Sequence, residues 1–239
     1  MSDKIIVNSS QTSFLSDELR QLLMSLGTSR KIKQNTFLFQ EEMHAEEIYL
    51  IKSGLIQINM MSTDGKGITL RICKEGDLLG ETTLYTDNPK YLLNARVIES
   101  GEVICVNIEQ LQEELENNHL LATELIKWYC NHVRKLQLKM NDLLLNGKKG
   151  ALYSALIRLA NSCGVKREDG ILISIAFKDQ ELADLCGATR EYTNRLLTEL
   201  REKNILLIDS TGKMLVKNLN YLKRKINCRD CSVSVCNIN

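Results

Sequence analysis

Residues 179–206 read DQELADLCGATREYTNRLLTELREKNIL, and the spacing within this stretch decides how the chain is built. Leu182, Ala183 and Leu185 fall on one face of a first helix expected over 178–186. Leu196, Leu197 and Leu200 fall on one face of a second, expected over 190–203. Gly187-Ala188-Thr189 leaves three residues for a tight turn between them. Downstream, 205–208 and 214–217 predict a hairpin around Ser210-Thr211-Gly212, followed by a short helix over 219–226. Upstream, ILISIAF (171–177) predicts a strand and 151–162 a helix. Helix, glycine turn, helix and hairpin in this order predict a winged helix-turn-helix. The exposed N-terminal face of its second helix presents Arg190, Glu191, Asn194 and Arg195. Those types suit base edges in a major groove: Arg forks onto guanine, and Glu accepts from cytosine.

Working outward, Asn146-Gly147-Lys148-Lys149-Gly150 breaks the helical pattern and marks a hinge. Before it, about Ile108 to Leu145 predicts a long helix. Ala122, Ile126, Tyr129, Val133, Leu136, Met140 and Leu143 recur there at alternating spacings of four and three, the pattern of a dimer seam. Earlier still, TFLFQ, EIYLIKSG, LIQINMMS, ITLRIC, YLLNARVIE and GEVICVNI read as short strands. Ser53-Gly54, Thr63-Asp64-Gly65, Gly76-Asp77 and Ser100-Gly101 read as the turns between them. A helix over 13–28 packs on this β-roll. The expected organisation is α+β: a β-roll over 1–108, a dimerisation helix over 109–146, the winged helix-turn-helix over 147–227, and a cysteine tail over 228–239.

Charge supports the division. Residues 1–146 carry 15 Lys/Arg against 20 Asp/Glu, a net of −5; residues 147–227 carry 15 against 9, a net of +6. A basic module following an acidic one points to a polyanion partner, here double-stranded DNA. No apolar run reaches the ~18 residues of a membrane span, and the N-terminus lacks a secretion signal, so a cytoplasmic protein is expected. No nucleophile motif, metal-type histidine pair or phosphate loop suggests an enzyme.

Of eight cysteines, Cys73, Cys105, Cys130, Cys163 and Cys186 sit in apolar or mixed runs, where a free thiol behaves as a small buried hydrophobe. The other three, Cys228, Cys231 and Cys236, form Cys-x2-Cys-x4-Cys near the C-terminus. In a reducing compartment such clustering indicates metal or redox chemistry. Spacing alone leaves three readings open. They are an iron-sulfur cluster with one foreign ligand, a zinc site short of its fourth ligand, and a thiol-disulfide switch. No histidine is near: His44, His119 and His132 lie far upstream.

β-Roll, long helix and winged helix-turn-helix, with the ATREYTNRLL segment (188–197) as recognition helix, resemble the Crp/Fnr superfamily, that of the cAMP receptor protein and the fumarate-and-nitrate-reduction regulator. The resemblance spans roughly 14–225. It implies a homodimeric transcription regulator with RNA polymerase as partner. In the cAMP branch the Arg, Glu and Arg of this helix read TGTGA, so Arg190, Glu191 and Arg195 imply a palindrome close to TGTGA-N6-TCACA. The classical oxygen-sensing branch has an apolar residue where Arg190 stands and reads TTGAT. Gly80-Glu81 matches the family's ribose pair, but Tyr91 and Leu92 stand where its phosphate-binding Arg-Ser pair belongs. Cyclic AMP is therefore not expected as effector.

The three C-terminal cysteines resemble the bacillar branch of the oxygen-responsive regulators. That resemblance implies a [4Fe-4S] cluster on Cys228, Cys231 and Cys236, with an aspartate at the end of the dimer helix as fourth ligand; Asp142 matches. A cluster held there and on the tail would clamp the DNA-binding domain in its competent orientation until oxygen broke it, controlling anaerobic respiration and fermentation genes. Two other classes remain open at this point. One is a Crp-like regulator of another small ligand with structural zinc on the tail; the other is an iron-sulfur electron-transfer protein, which leaves the recognition helix unexplained.

Overall fold

In the computed structural model, residues 15–61, 67–228, 231–233 and 235–238 are described. The turn expected at Thr63-Asp64-Gly65 lies outside them, as do Arg229 and Asp230. The chain divides into two compact units, one built on Ser13–Gly65 and Leu70–Val133, the other chiefly on Arg134–Ile238.

The first unit opens with α1 (Asp17–Leu26). Ser16 Oγ accepts from Leu19 N at 3.3 Å and caps it, and Leu19 and Leu23, one turn apart, are buried. Six strands follow: β1 (Thr28–Ile32), β2 (Phe37–Phe39), β3 (Glu47–Met61), β4 (Gly67–Cys73), β5 (Leu78–Leu79) and β6 (Asn94–Asn107). They form one sheet in the order β1-β6-β3-β4, with β2 on β6 and β5 on β3. β3 and β6 pair antiparallel from Glu47↔Asn107 to Asn59↔Asn94.

Here the structure corrects the expected strands. Four short segments are two long ones, because Ser53-Gly54 and Ser100-Gly101 end neither strand. The register shifts around them, Gly54 takes φ +93°, and a Cβ on Gly101 would come within 2.0 Å of Ser53 O. Two turn-like pairs facing each other across one ladder bend both strands through a shared bulge. Inside the roll, Ile48, Leu50, Ile51 and Ile56 of β3 meet Val97, Val103 and Val106 of β6. Each such side chain contributes about 1.5–3 kcal/mol by leaving water.

α2 (Ile108–Asn117) begins at Asn107, whose Oδ1 accepts from Gln110 N at 3.0 Å, and buries Ile108, Leu111 and Leu115 in the same core. The helix expected without interruption over 108–145 is two. Asn118 leaves helical geometry at φ −135°, and its Oδ1 accepts from Leu121 N at 3.2 Å. That side chain starts α3 (His119–Leu145) afresh in place of the i→i−4 ladder. On α3 the expected apolar stripe splits. Ile126, Val133 and Met140, seven residues apart, are 61%, 47% and 59% exposed. Tyr129 instead turns inward and donates its hydroxyl to Glu81 O.

The second unit holds the end of α3, then α4 (Gly147–Cys163), β7 (Gly164–Arg167), β8 (Gly170–Ile173), α5 (Asp179–Leu185), α6 (Arg190–Glu202), β9 (Leu206–Ile208), β10 (Met214–Val216) and α7 (Leu219–Lys225). Its sheet runs β7-β8-β10-β9. The break expected over 146–150 is narrower. Only Asn146 separates α3 from α4; Gly147 makes the change of direction at φ +59°, and Gly150 N already donates to Asn146 O. β7 was not expected, and the strand expected over 171–177 ends at Ile173. This is the α+β fold of β-roll, long helix and winged helix-turn-helix.

Candidate DNA interface and cysteine site

The reading helix is positioned by local rules. Gly187 takes φ +58°, Ala188 N donates to Ala183 O at 3.0 Å, and Thr189 Oγ1 accepts from Tyr192 N at 3.3 Å to cap α6. Thr193, Leu196, Leu197 and Leu200 are buried, as are Leu182, Ala183 and Leu185 of α5. That burial turns Arg190, Glu191 and Arg195 to solvent on the first turns of α6, with Asn194 half-buried beside them. Arg190 lies 3.8 Å from the Asp179 carboxylate, but both are well exposed, so the pair is loose and screened. The Arg195 guanidinium stands 4.9 Å from the Tyr192 ring centroid. Farther along the helix, Glu199 accepts from Lys149 and Lys203, and these hydrogen bonds hold its carboxyl down at about 2.

The cysteine site is built from distant parts of the second unit. After α7, Asn227 takes φ +48° and Cys228 N donates to Lys223 O at 2.9 Å, which turns the chain back. Around Cys236, the segment lies along α4. Asn161 Nδ2 donates to Cys236 O at 2.7 Å, Ile238 N to Ser162 Oγ at 2.9 Å, and Arg158 Nη1 to the carbonyls of Val235 and Asn237, both at 3.4 Å. The other side of the same guanidinium holds Asp142: Arg158 Nη2 lies 2.7 Å from its Oδ2, with both side chains largely buried. Ser154 Oγ donates to that oxygen at 2.5 Å, and Asn146 Nδ2 to Oδ1 at 3.4 Å.

Cys228, Cys231 and Cys236 are free and half-buried. Burial pushes the Cys236 thiol above its ordinary value; the Arg158 cation opposes the rise, and charge on Cys228, Cys231 and Asp142 adds to it. The Cys236 thiol thus lies within electrostatic range of the other three expected ligands. The four are not arranged as a formed metal site: among the described residues no three His, Cys, Asp or Glu groups are so placed. Asp142 spends its carboxylate on Arg158 and Ser154. As a donor set, three thiols and a carboxylate suit an iron-sulfur centre. His44, His119 and His132 all belong to the other unit. The expectation that the five scattered cysteines are buried fails at Cys130, which is exposed on α3, and holds only in part at Cys163, which is half-buried.

In the β-roll, Gly80 at φ +79° caps a 3-10 turn, Glu81–Thr83, and aims Glu81 inward. Glu81 pairs with Arg71 at 2.8 Å. Tyr91 stacks on Phe39 with centroids 4.0 Å apart and donates to Glu47 O at 2.7 Å, while Leu92 is exposed.

Sequence reasoning missed Ser154, Arg158, Asn161 and Ser162. Their signal was present: steps of four, three and one place them on one face of a helix that is otherwise largely apolar. The pairing of Arg71 with Glu81 had no comparable signal.

A cyclic nucleotide-binding domain model matches residues 29–118, and a Crp-like helix-turn-helix domain model matches 150–225. The anaerobic regulatory protein of Bacillus subtilis is 50% identical over 232 residues, 97% of this chain and 98% of its own length. The nitrogen fixation regulation protein FixK of Azorhizobium caulinodans is 27% identical over 208 residues, 85% of this chain and 81% of its own. Among solved structures, FixK2 from Bradyrhizobium japonicum superposes with a TM-score of 0.72 at 18% identity, covering 83% of this chain and 96% of that one. This last likeness is one of fold alone.

Proposed function

The chain belongs to the Crp/Fnr family of DNA-binding transcription regulators and is not an enzyme, and we propose that it is the family's oxygen-responsive kind. Its signal is a [4Fe-4S] cluster held by Cys228, Cys231, Cys236 and Asp142. The observation that carries this reading is the Arg158 guanidinium, which binds Asp142 on one side and both carbonyls flanking Cys236 on the other. A carboxylate from the last turns of α3 therefore neighbours the cysteine tail. The name of the Bacillus subtilis relative adds support from outside the structure.

When bound, such a cluster supplies an oxygen-labile link between the end of α3 and the tail. The residues explain what that link controls. Asp142 precedes the turn at Gly147, and the tail leaves α7 directly, so joining them fixes α4 relative to the end of α3. α5 packs on α4, and α6 packs on α5. Arg190, Glu191, Asn194 and Arg195 are then held for a TGTGA-N6-TCACA-like palindrome. A dimer places two such helices about one helical turn of DNA apart. The exposed Ile126, Val133 and Met140 support a homodimer along α3. Control requires that the linked arrangement be the DNA-competent one, a population shift. RNA polymerase is the expected partner and the cytoplasm the expected site; no described helix is long and apolar enough to cross a membrane. Tyr91, packed and hydrogen-bonded where an anionic phosphate would need a cation, argues against cyclic AMP.

The test is binding to a palindrome of this type by anaerobically purified protein, before and after air. Tight binding that falls at least tenfold in air, with Cys228→Ser matching the aerated protein, is the expected result. Equal binding in both states would overturn the oxygen reading and return the effector search to the β-roll.

A further inference from the structure

α4 presents a polar face inside a buried helix, and every group on it is engaged with Asp142 or the tail. Ser154 Oγ donates to Asp142 and accepts from Arg158 Nε at 3.3 Å. Arg158, only 6% exposed, bridges Asp142 and the tail carbonyls. Asn161 and Ser162 hold the backbone on either side of Asn237. A cationic side chain at the centre of such a helix is expensive unless it has an anionic partner, and here the partner is the expected metal ligand itself.

Resting on the cluster reading above, we propose that Arg158 is the positioning residue of the cysteine site: a placeholder cation that keeps Asp142 and the Cys236 segment together when no metal is bound. Without it, Asp142 would keep only the neutral donors Ser154 and Asn146, neither of which touches the Val235 or Asn237 carbonyls, and the tail would lose its central anchor. With it, the carboxylate is already turned toward the tail and satisfied by one cation, which it can exchange for another. The exchange would move no electrons: the Asp142 carboxylate would hold the metal in place of Arg158, and the three cysteines would hold it as thiolates, their protons passing to water. Arg158 keeps its bonds to the Val235 and Asn237 carbonyls throughout, and its charge offsets part of the negative charge that three thiolates and a carboxylate accumulate. On this view the tail returns to the same place after each loss of the metal, so the signal is reversible without refolding the unit.

The experiment compares full-length wild type, Arg158→Met, Arg158→Lys, Asp142→Asn and the Arg158→Met/Asp142→Asn pair. Two quantities are read: the alkylation rate of each tail thiol in metal-free protein, by peptide mapping with iodoacetamide, and iron and sulfide content after anaerobic reconstitution. Arg158→Met should raise alkylation of Cys236 by at least roughly tenfold, the factor carried by loss of even one of its two charge-assisted hydrogen bonds to the tail, and should lower iron uptake. Arg158→Lys should restore part of both. In iron uptake the double variant should be no worse than Asp142→Asn, because there Arg158 acts through that carboxylate; in Cys236 alkylation it should match Arg158→Met, because the bonds to the Val235 and Asn237 carbonyls belong to Arg158 alone. Thermal unfolding of each variant, with Cys163 as internal alkylation control, separates a local release from general loosening. If wild type takes up iron and Arg158→Met matches it in uptake and Cys236 protection, the placeholder role is wrong while the cluster reading stands. Additive losses of iron uptake in the double variant, or equal exposure of Cys163, would also overturn it. If wild type itself takes up no iron, the cluster reading fails and this role falls with it.

Discussion

Among the described residues the chain buries two arginine–carboxylate pairs, one in each unit, at nearly identical separations. Arg71 and Glu81 meet at 2.8 Å with side chains 7% and 5% exposed; Arg158 and Asp142 meet at 2.7 Å with 8% and 16%. Their surroundings differ. The first is sealed in the roll: Arg71 also donates to Leu78 O, and one buried thiol, Cys73, adjoins it. The second reaches the cysteine tail through the carbonyls of Val235 and Asn237, and its carboxylate is also held by Ser154 of α4 and by Asn146 between α3 and α4. On the proposed reading the same ion pair is structural where its neighbours are core and exchangeable where they are candidate metal donors. A buried pair by itself says little about stability or function; what its carboxylate faces decides.

That contrast breaks or sharpens at defined points. The largest expected effect is on the thiols: Cys231→Ser should reduce bound iron from about four per chain to near none, by elemental analysis, while leaving the urea midpoint of the β-roll in place. Next comes truncation of each carboxylate. Glu81→Ala strands the Arg71 charge in the core and should cost about 3–5 kcal/mol, measured by urea unfolding, with iron per folded chain unchanged. Asp142→Ala should cost less, about 1–3 kcal/mol, because its site is more open, yet iron should fall. Loss of iron in the Glu81 variant would mean that the two pairs are not independent. Smaller again, Arg190→Val should lose about 1–3 kcal/mol of discrimination at one base pair and move the selected half-site toward TTGAT, read by site selection from random duplexes. An unchanged site would remove Arg190 from base reading. The smallest is Thr189→Ala, which removes the α6 cap for about 1 kcal/mol and leaves site preference intact.

What was legible in the sequence follows the range of the interactions. α5, the Gly187 turn and α6 came from periodicity and a glycine, all within a few residues of one another, and each stands where it was expected. Turn residues misled at Ser53-Gly54 and Ser100-Gly101, because a glycine that bends a strand looks like one that ends it. Only the pairing of β3 with β6 distinguishes the two cases. Asn118 carried a capping side chain inside an otherwise helical run, and periodicity outweighed it. The tail thiols declared themselves by spacing, whereas Asp142 came only from family resemblance, since nothing near it in the chain points to residues 228–236. Arg158 was missed for the same reason: the polar face it shares with Ser154, Asn161 and Ser162 is legible, but what that face meets is not.

The most direct measurement is iron, sulfide and zinc content with the visible spectrum of anaerobically purified protein, repeated after air. About four iron and four sulfide per chain, with broad visible absorbance that bleaches in air, is the predicted result. A colourless protein carrying about one zinc per chain would contradict it and make the tail a structural staple.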